Sequence, residues 1–181
     1  MIRWFTTPRW SGVAAGVALA ILLAGCATAP DIGLPGFDAA AAVAEIRAAG
    51  GANASELDVQ PLRDPQVEDL REDAERLERE RKYPEAAAAL DQALQLNPSD
   101  PALLQDRAEA ALLQQRLDDA ERFARQGLEQ GSKVGPLCRR HWETIAQVRL
   151  TRPASADTPG GSVADARRER DACTVAAPPR Y

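Results

Sequence analysis

The strongest constraint on how this chain folds is an internal period. Leu70 and Leu104 are separated by the same interval as Ala74 and Ala108, Ala86 and Ala120, Gln92 and Gln126, and Leu94 and Leu128. Glu85 and Asp119 keep the same charge at the same offset. An interval of about 34 residues with helical patterning is the mark of one helix–turn–helix unit built more than once and stacked on itself. Composition agrees. Hydrophobic residues make up 45% of the chain but aromatics only 4%, so the apolar content is mostly Ala and Leu, which lose little freedom in a helix. The β-branched and aromatic runs that strands need are nearly absent. The prediction is an all-α chain: a short antiparallel helix-hairpin solenoid of about two repeats plus a capping helix.

The best-formed unit runs Arg81-Lys82-Tyr83-Pro84-Glu85-Ala86, then Leu90, then Ala93-Leu94-Gln95-Leu96-Asn97-Pro98. Tyr83 is placed to plug between two helices, and Pro84 suits a first helical turn, where no amide donor is missed. Ala86 and Ala93 are small where helices approach closely, Asn97-Pro98 ends the helix, and Ser99 or Asp100 is placed to cap the next. This stretch resembles the second helix and exit of a tetratricopeptide repeat. A second copy follows through Leu104, Ala108, Ala111, Leu117, Ala120, Ala124 and Gly127-Leu128. It departs where Gly127 replaces the small Ala and where Gly131-Ser132 stands in place of Pro. In the first copy Asp73 occupies a position that favours a large apolar residue. A third start places Cys138, Trp142 and Ile145 one further period on, with Trp142 where a small side chain is the rule. Residues 137–149 are therefore read as a capping or partial third helix whose Trp covers the open end. The resemblance spans residues 67–150.

The first residues read as an address. Arg3 and Arg9 form a positive region, and residues 12–23 are an uncharged Ala/Leu/Val-rich stretch too short to cross a bilayer as a helix. Leu23-Ala24-Gly25-Cys26 resembles the lipobox of bacterial lipoproteins. The resemblance implies a signal peptide over 1–25, thioether lipidation of Cys26 and acylation of the new N-terminus; several acyl chains, palmitate among them in such proteins, hold a protein stably to a membrane. Ala27 is not the Asp that often retains lipoproteins in the inner membrane, which points to the outer membrane, facing the periplasm.

Residues 26–66 carry Gly, Pro, Ala and Asp and read as a membrane tether, with a possible short helix over 39–49 capped by Asp38 and closed by Gly50. That helix has only Val43 and Ile46 as an apolar edge. It is either part of a spacer or a piece that docks on the repeats or on a partner. Residues 151–181 read as a linker, a C-terminal helix and a tail. Export would place Cys138 and Cys173 in an oxidising compartment, where a disulfide between them is favoured and would staple the last helix onto the capping helix; the alternative is that Cys138 is a small buried apolar residue.

The net charge of -5 excludes the basic surface that nucleic acids require. Three Cys and one His, scattered, give no typical zinc set, so no metal and no cofactor is expected. His141 has no recognised nucleophile context, the Gly-rich stretches form no phosphate loop, and the chain reads as no enzyme, with no small-molecule substrate. In tetratricopeptide proteins the first helix of each repeat lines a groove that holds peptides or protein tails. Carried over by position, the partner-binding candidates are Arg71, Glu72, Glu75 and Arg79, then Gln105, Asp106, Glu109 and Leu112, then Arg139, Arg140 and Glu143. Arg139-Arg140 either hold a partner carboxylate by paired hydrogen bonds or are salt-bridged solubilising side chains. The resemblance implies an envelope-anchored adaptor or assembly scaffold that binds a cell-envelope protein through its helical groove. The alternatives are a structural or self-associating lipoprotein, or an accessory regulator of a cell-envelope enzyme.

Overall fold

The computed structural model describes residues 34–51, 64–152 and 161–174. The expected signal segment, Cys26 and most of the expected tether lie outside the described residues. Among those described there are seven α-helices and no strand: α1 Ala39–Gly50, α2 Pro65–Arg79, α3 Tyr83–Leu96, α4 Pro101–Leu113, α5 Leu117–Gln130, α6 Pro136–Leu150 and α7 Val163–Ala172.

Local chemistry explains where they start. The Asp38 carboxylate accepts from the Ala41 amide, Asp64 from Gln66, and Asp100 from Ala102 and Leu103, each satisfying an orphan donor at a helix N-terminus. Pro65 and Pro101 stand just inside their helices, where the missing amide is not needed. Ser162 and Asp165 exchange hydrogen bonds in a capping box that starts α7.

The helices pair in sequence order. Hairpins α2–α3, α4–α5 and α6–α7 stack through α3 on α4 and α5 on α6, and α1 lies across α6 and α4. The first two hairpins turn alike. In each, the turn residue adopts a left-handed conformation, Arg81 at φ 59° and Gln115 at φ 58°, again one period apart. Lys82 donates to the Leu77 carbonyl and Arg81 to that of Glu78; Arg116 donates to Ala111 and Gln115 to Leu112. The repeat therefore extends to the backbone hydrogen bonds of the turn, a double-bonded helix stop.

The close approaches fall at the small residues. Ala86, Ala93, Ala108, Ala120 and Ala124 are all buried, and side chains this short let neighbouring helices pack densely. Tyr83 and Leu117 hold the same place in their units and pack on one cluster with Ala111, Leu112 and Ala120.

The third unit extends the expected plan. α6 does not stand alone as a cap: α7 packs along it, completing a hairpin across the longer connection 151–162. A disulfide joins Cys138 on α6 to Cys173 at the end of α7. The Gly135 amide donates to the Cys173 carbonyl, and Arg149 donates to that of Ser162. Trp142 packs, half-buried, into the cluster that holds Ala166, Cys173 and Val163. The expectation that it covers an open end is corrected: α7 occupies that side.

Candidate functional site

The first helices of the three units, α2, α4 and α6, make one face of the solenoid, and α1 is seated on part of it. Ala42, Val43 and Ile46 are each less than 5% exposed, and Val43 and Ile46 pack against the cluster of Ala111, Leu112, Leu113 and Val148. At the C-terminal end of α1, Arg139 donates from Nε to the Ala49 carbonyl at 3.0 Å and from a terminal nitrogen to the Gly50 carbonyl at 3.1 Å. Those two acceptors have no partner inside the helix. Gly50 makes a close approach: a Cβ there would stand 2.9 Å from the Cγ and Cδ of Arg140, so any larger residue has to push that side chain aside.

A chain of ion pairs runs from α1 across the face. Arg47 on α1 donates from Nε to Glu109 on α4 at 2.8 Å and lies 2.9 Å from both oxygens of Glu78 on α2. Arg140 on α6 donates from Nε to the same Glu109 at 3.1 Å and reaches Asp106 at 3.4 Å. Arg71 on α2 donates twice to Asp106, at 2.9 and 2.7 Å, and again to Glu68. Burial works against the charge on Arg47, Arg71 and Arg140, but the carboxylates beside them outweigh it and hold each guanidinium above its ordinary pKa. Four helices are thus pinned together by charge-assisted bonds in a partly dry setting.

Beside this network the face is open. A cleft of about 810 Å³ lies between α2 and α4, bounded by Arg47 on one side and Pro136 and Arg140 on another. Its floor is apolar, with Ala74, Tyr83, Ala86, Leu90, Ala110 and Leu113. On its rim stand Glu75 and Arg79, whose side chains are 65% and 70% exposed and whose only mutual ion pair, at 3.9 Å, is long. An apolar floor with a few convergent polar groups is the usual make-up of a binding cleft.

The residues picked from sequence therefore divide. Arg71, Glu75, Arg79 and Arg140 line the cleft. Gln105, Glu109, Leu112 and Arg139 do not face an open groove: they are 0%, 1%, 0% and 3% exposed. This corrects the expectation that they meet an outside partner, and the reason is α1. Leu112 packs in the cluster that holds Val43 and Ile46, Glu109 receives Arg47, and Arg139 caps the end of α1. Gln105 donates to Glu109 and to Thr144, tying α4 to α6. Glu143, also buried, takes Arg170 and Gln147, and Gln147 donates onward to Glu45 of α1. Sequence reasoning missed Arg47 and Glu78. Their only signal was local: Arg47 follows directly on Ile46, the apolar edge of a helix already marked as able to dock.

His141 is 1% exposed, and neither ring nitrogen hydrogen-bonds a protein group among the described residues. Its ring lies over Gly127, where a Cβ would stand 2.2 Å from Cε1. Burial first, then the charges of Arg140 and Lys133, push its pKa down to about 3. Cys138 is bonded to Cys173, so it offers His141 no thiol.

A family model for the tetratricopeptide repeat matches residues 77–139. Among curated proteins, none matches the sequence. Among solved structures, the globular C-terminal domain of P. aeruginosa LpoP is similar: it is 29% identical, the match covers 61% of this chain and 99% of that one, and the TM-score is 0.53. The chain carries tetratricopeptide-like repeats in an all-helical fold that fits a protein-interaction role and is shared with the LpoP C-terminal domain.

Proposed function

We propose that this chain is an envelope-anchored interaction module, an adaptor or assembly scaffold held to the outer membrane through lipidated Cys26, that takes a short segment of an envelope protein into the cleft between α2 and α4. The observation that carries the reading is the cleft itself. It stays open on a face that is otherwise packed shut, its floor is apolar, and Glu75 and Arg79 stand at its rim without a close partner. Apolar anchors in a pocket ringed by polar groups are what a peptide-binding hot spot requires. The resemblance of residues 23–26 to a lipobox supports the anchor, and the likeness to the LpoP C-terminal domain supports a protein partner.

The test is photo-crosslinking in cells, with the full lipidated chain carrying the reactive residue at position 75 or, as a control, at the exposed position 122 on α5. The expected result is one envelope protein captured from 75 and not from 122, and lost when Arg79→Glu is added. Capture of the chain by itself alone supports the self-associating alternative and overturns the adaptor reading. Arg71, Arg139 and Arg140 are unsuitable for such a test, because each is bonded into the framework.

A further inference from the structure

We propose that α1 is a displaceable occupant of the groove, and that its seat accepts from another protein an amphipathic helix carrying Val and Ile three residues apart, Arg directly after the Ile, and Gly three residues beyond the Arg. The seat lies under α1 and shares Arg47, Gly50, Glu78 and Arg140 with one wall of the cleft, but its apolar strip of Ala111, Leu112 and Val148 lies outside the cleft, so peptide binding at the seat and capture from position 75 are separate readouts.

The seat reads each part of that pattern by a separate contact. Val43 and Ile46 enter an apolar strip on α4 and α6. Arg47, the next residue, meets two carboxylates from different helices, Glu78 and Glu109. Gly50 fits over the Arg140 methylenes, which a Cβ would have to displace. Arg139 closes the end by donating to two terminal carbonyls, which any helix ending there would present. Recognition of a helix through anchors one turn apart in an apolar groove is a recurring mode of peptide binding.

Displaceability follows from how α1 is attached. It buries four residues along one edge, where the central α4 buries ten. Its outward face, including Ala40, Ala44 and Ala48, is exposed. It belongs to none of the three hairpins, and residues 52–63 separate it from α2. A tethered segment of this kind competes as an intramolecular ligand at roughly millimolar effective concentration. A free helix of the same pattern then binds with an affinity reduced by the fraction of chains whose seat is closed.

Two measurements on the full chain test this. In the native protein, hydrogen exchange is expected to be about 100-fold faster or more for α1 amides than for α4 amides, as for an element that opens without global unfolding. A labelled peptide of residues 37–51 is expected to bind an Ile46→Ala/Arg47→Ala variant at least about tenfold more tightly than the native chain, since the variant's own α1 competes poorly. The same peptide carrying Gly50→Val is expected not to bind. α1 amides that exchange no faster than those of α4 would overturn the proposal, and this reading needs no variant to fold. So would a variant with native helicity and an intact disulfide that binds the peptide no better than the native chain does.

Discussion

Glu75 and Glu109 hold the same repeat position on neighbouring groove helices, yet the Glu75 side chain is 65% exposed and that of Glu109 only 1%. Glu143, at the next equivalent position, is 3% exposed. The three carboxylates separate the groove into an open half over α2 and α4 and a shut half over α4 and α6. Sequence position alone does not decide which state a residue takes. The shut half is shut because α1 covers it and brings Arg47, and because Arg140 and Arg170 reach Glu109 and Glu143 from later helices. A motif that marks a binding surface in one repeat marks the core of a polar network in the next.

Truncating the two glutamates should break this symmetry most sharply. Glu109→Ala removes the buried carboxylate that Arg47 and Arg140 share, leaving the half-exposed Arg47 with Glu78 and Arg140 with Asp106. Water and the remaining carboxylates screen the two cations, so the cost is about 2 kcal/mol, below that of breaking a fully buried pair. Glu75→Ala should stay within roughly 0.5 kcal/mol, as for an exposed side chain with a long ion pair. Urea unfolding of both variants measures the difference. Equal costs would mean that α1 does not seal the face.

The junctions between units differ in the same sense. Where the first unit meets the second, Ala93 is buried and Arg107 bonds Asp91 and stacks over Phe123. At the equivalent places in the next junction stand Gly127 and His141. A methyl at Gly127 would meet the imidazole ring at 2.2 Å. Gly127→Ala is therefore expected to destabilise by about 3 kcal/mol, although alanine is the better helix former by about 1 kcal/mol. The Gly127→Ala/His141→Ala pair should recover part of that loss, because the two positions share one space. A double variant whose loss equals the sum of the singles would argue against the ring as the cause.

Much of this was legible in the chain. The internal period led to the hairpins because each matched residue is a helix–helix contact, and contact positions repeat when the unit does. Gly127 stood out as a break in the small-residue pattern, but only the structure shows that the break makes room for His141. The fate of the groove positions was not legible. Whether Gln105, Glu109, Leu112 and Arg139 face solvent depends on α1, which is distant in sequence and has two apolar residues as its edge. No period connects it to the repeats, so no pattern within the repeats announces it. α7 was anticipated as a helix that a Cys138–Cys173 disulfide would staple onto the capping helix, but its place as the second half of a third repeat-like hairpin was not, since the connection 151–162 is far longer than the tight turns before it.

His141 gives the shut half a pH dependence that the open half lacks, since Arg107 stands in its place there. Its neutral form is the one that fits the core. Because the folded pKa, about 3, lies below the usual histidine value of 6.5, the stability that His141 contributes is complete above pH 6.5 and is lost as pH falls towards 3. The loss should reach about 2 kcal/mol by pH 5. Carboxylates with lowered pKa values, such as Asp119 and Asp165, add their own losses only below the ordinary carboxylate range. The urea midpoint between pH 7 and pH 5 thus isolates the imidazole. The Gly127→Ala/His141→Ala chain is expected to show a much flatter profile over that window.

The smallest effect compares the two turns. Arg81 and Gln115 both sit in the left-handed region, where a residue with a Cβ costs roughly 1 kcal/mol relative to glycine. Arg81 is exposed, and among the described residues its side chain makes no hydrogen bond or ion pair. Arg81→Gly is expected to stabilise the chain by up to about 1 kcal/mol. At Gln115 the same change removes the amide oxygen that accepts from the Leu34 backbone, which holds the segment leading into α1. A lost hydrogen bond of about 1 kcal/mol offsets the relief of strain, so Gln115→Gly should be close to neutral. Thermal unfolding of the two variants side by side reads this directly. A gain at Gln115 as large as that at Arg81 would show that the contact with Leu34 contributes nothing to holding α1 on the shut half.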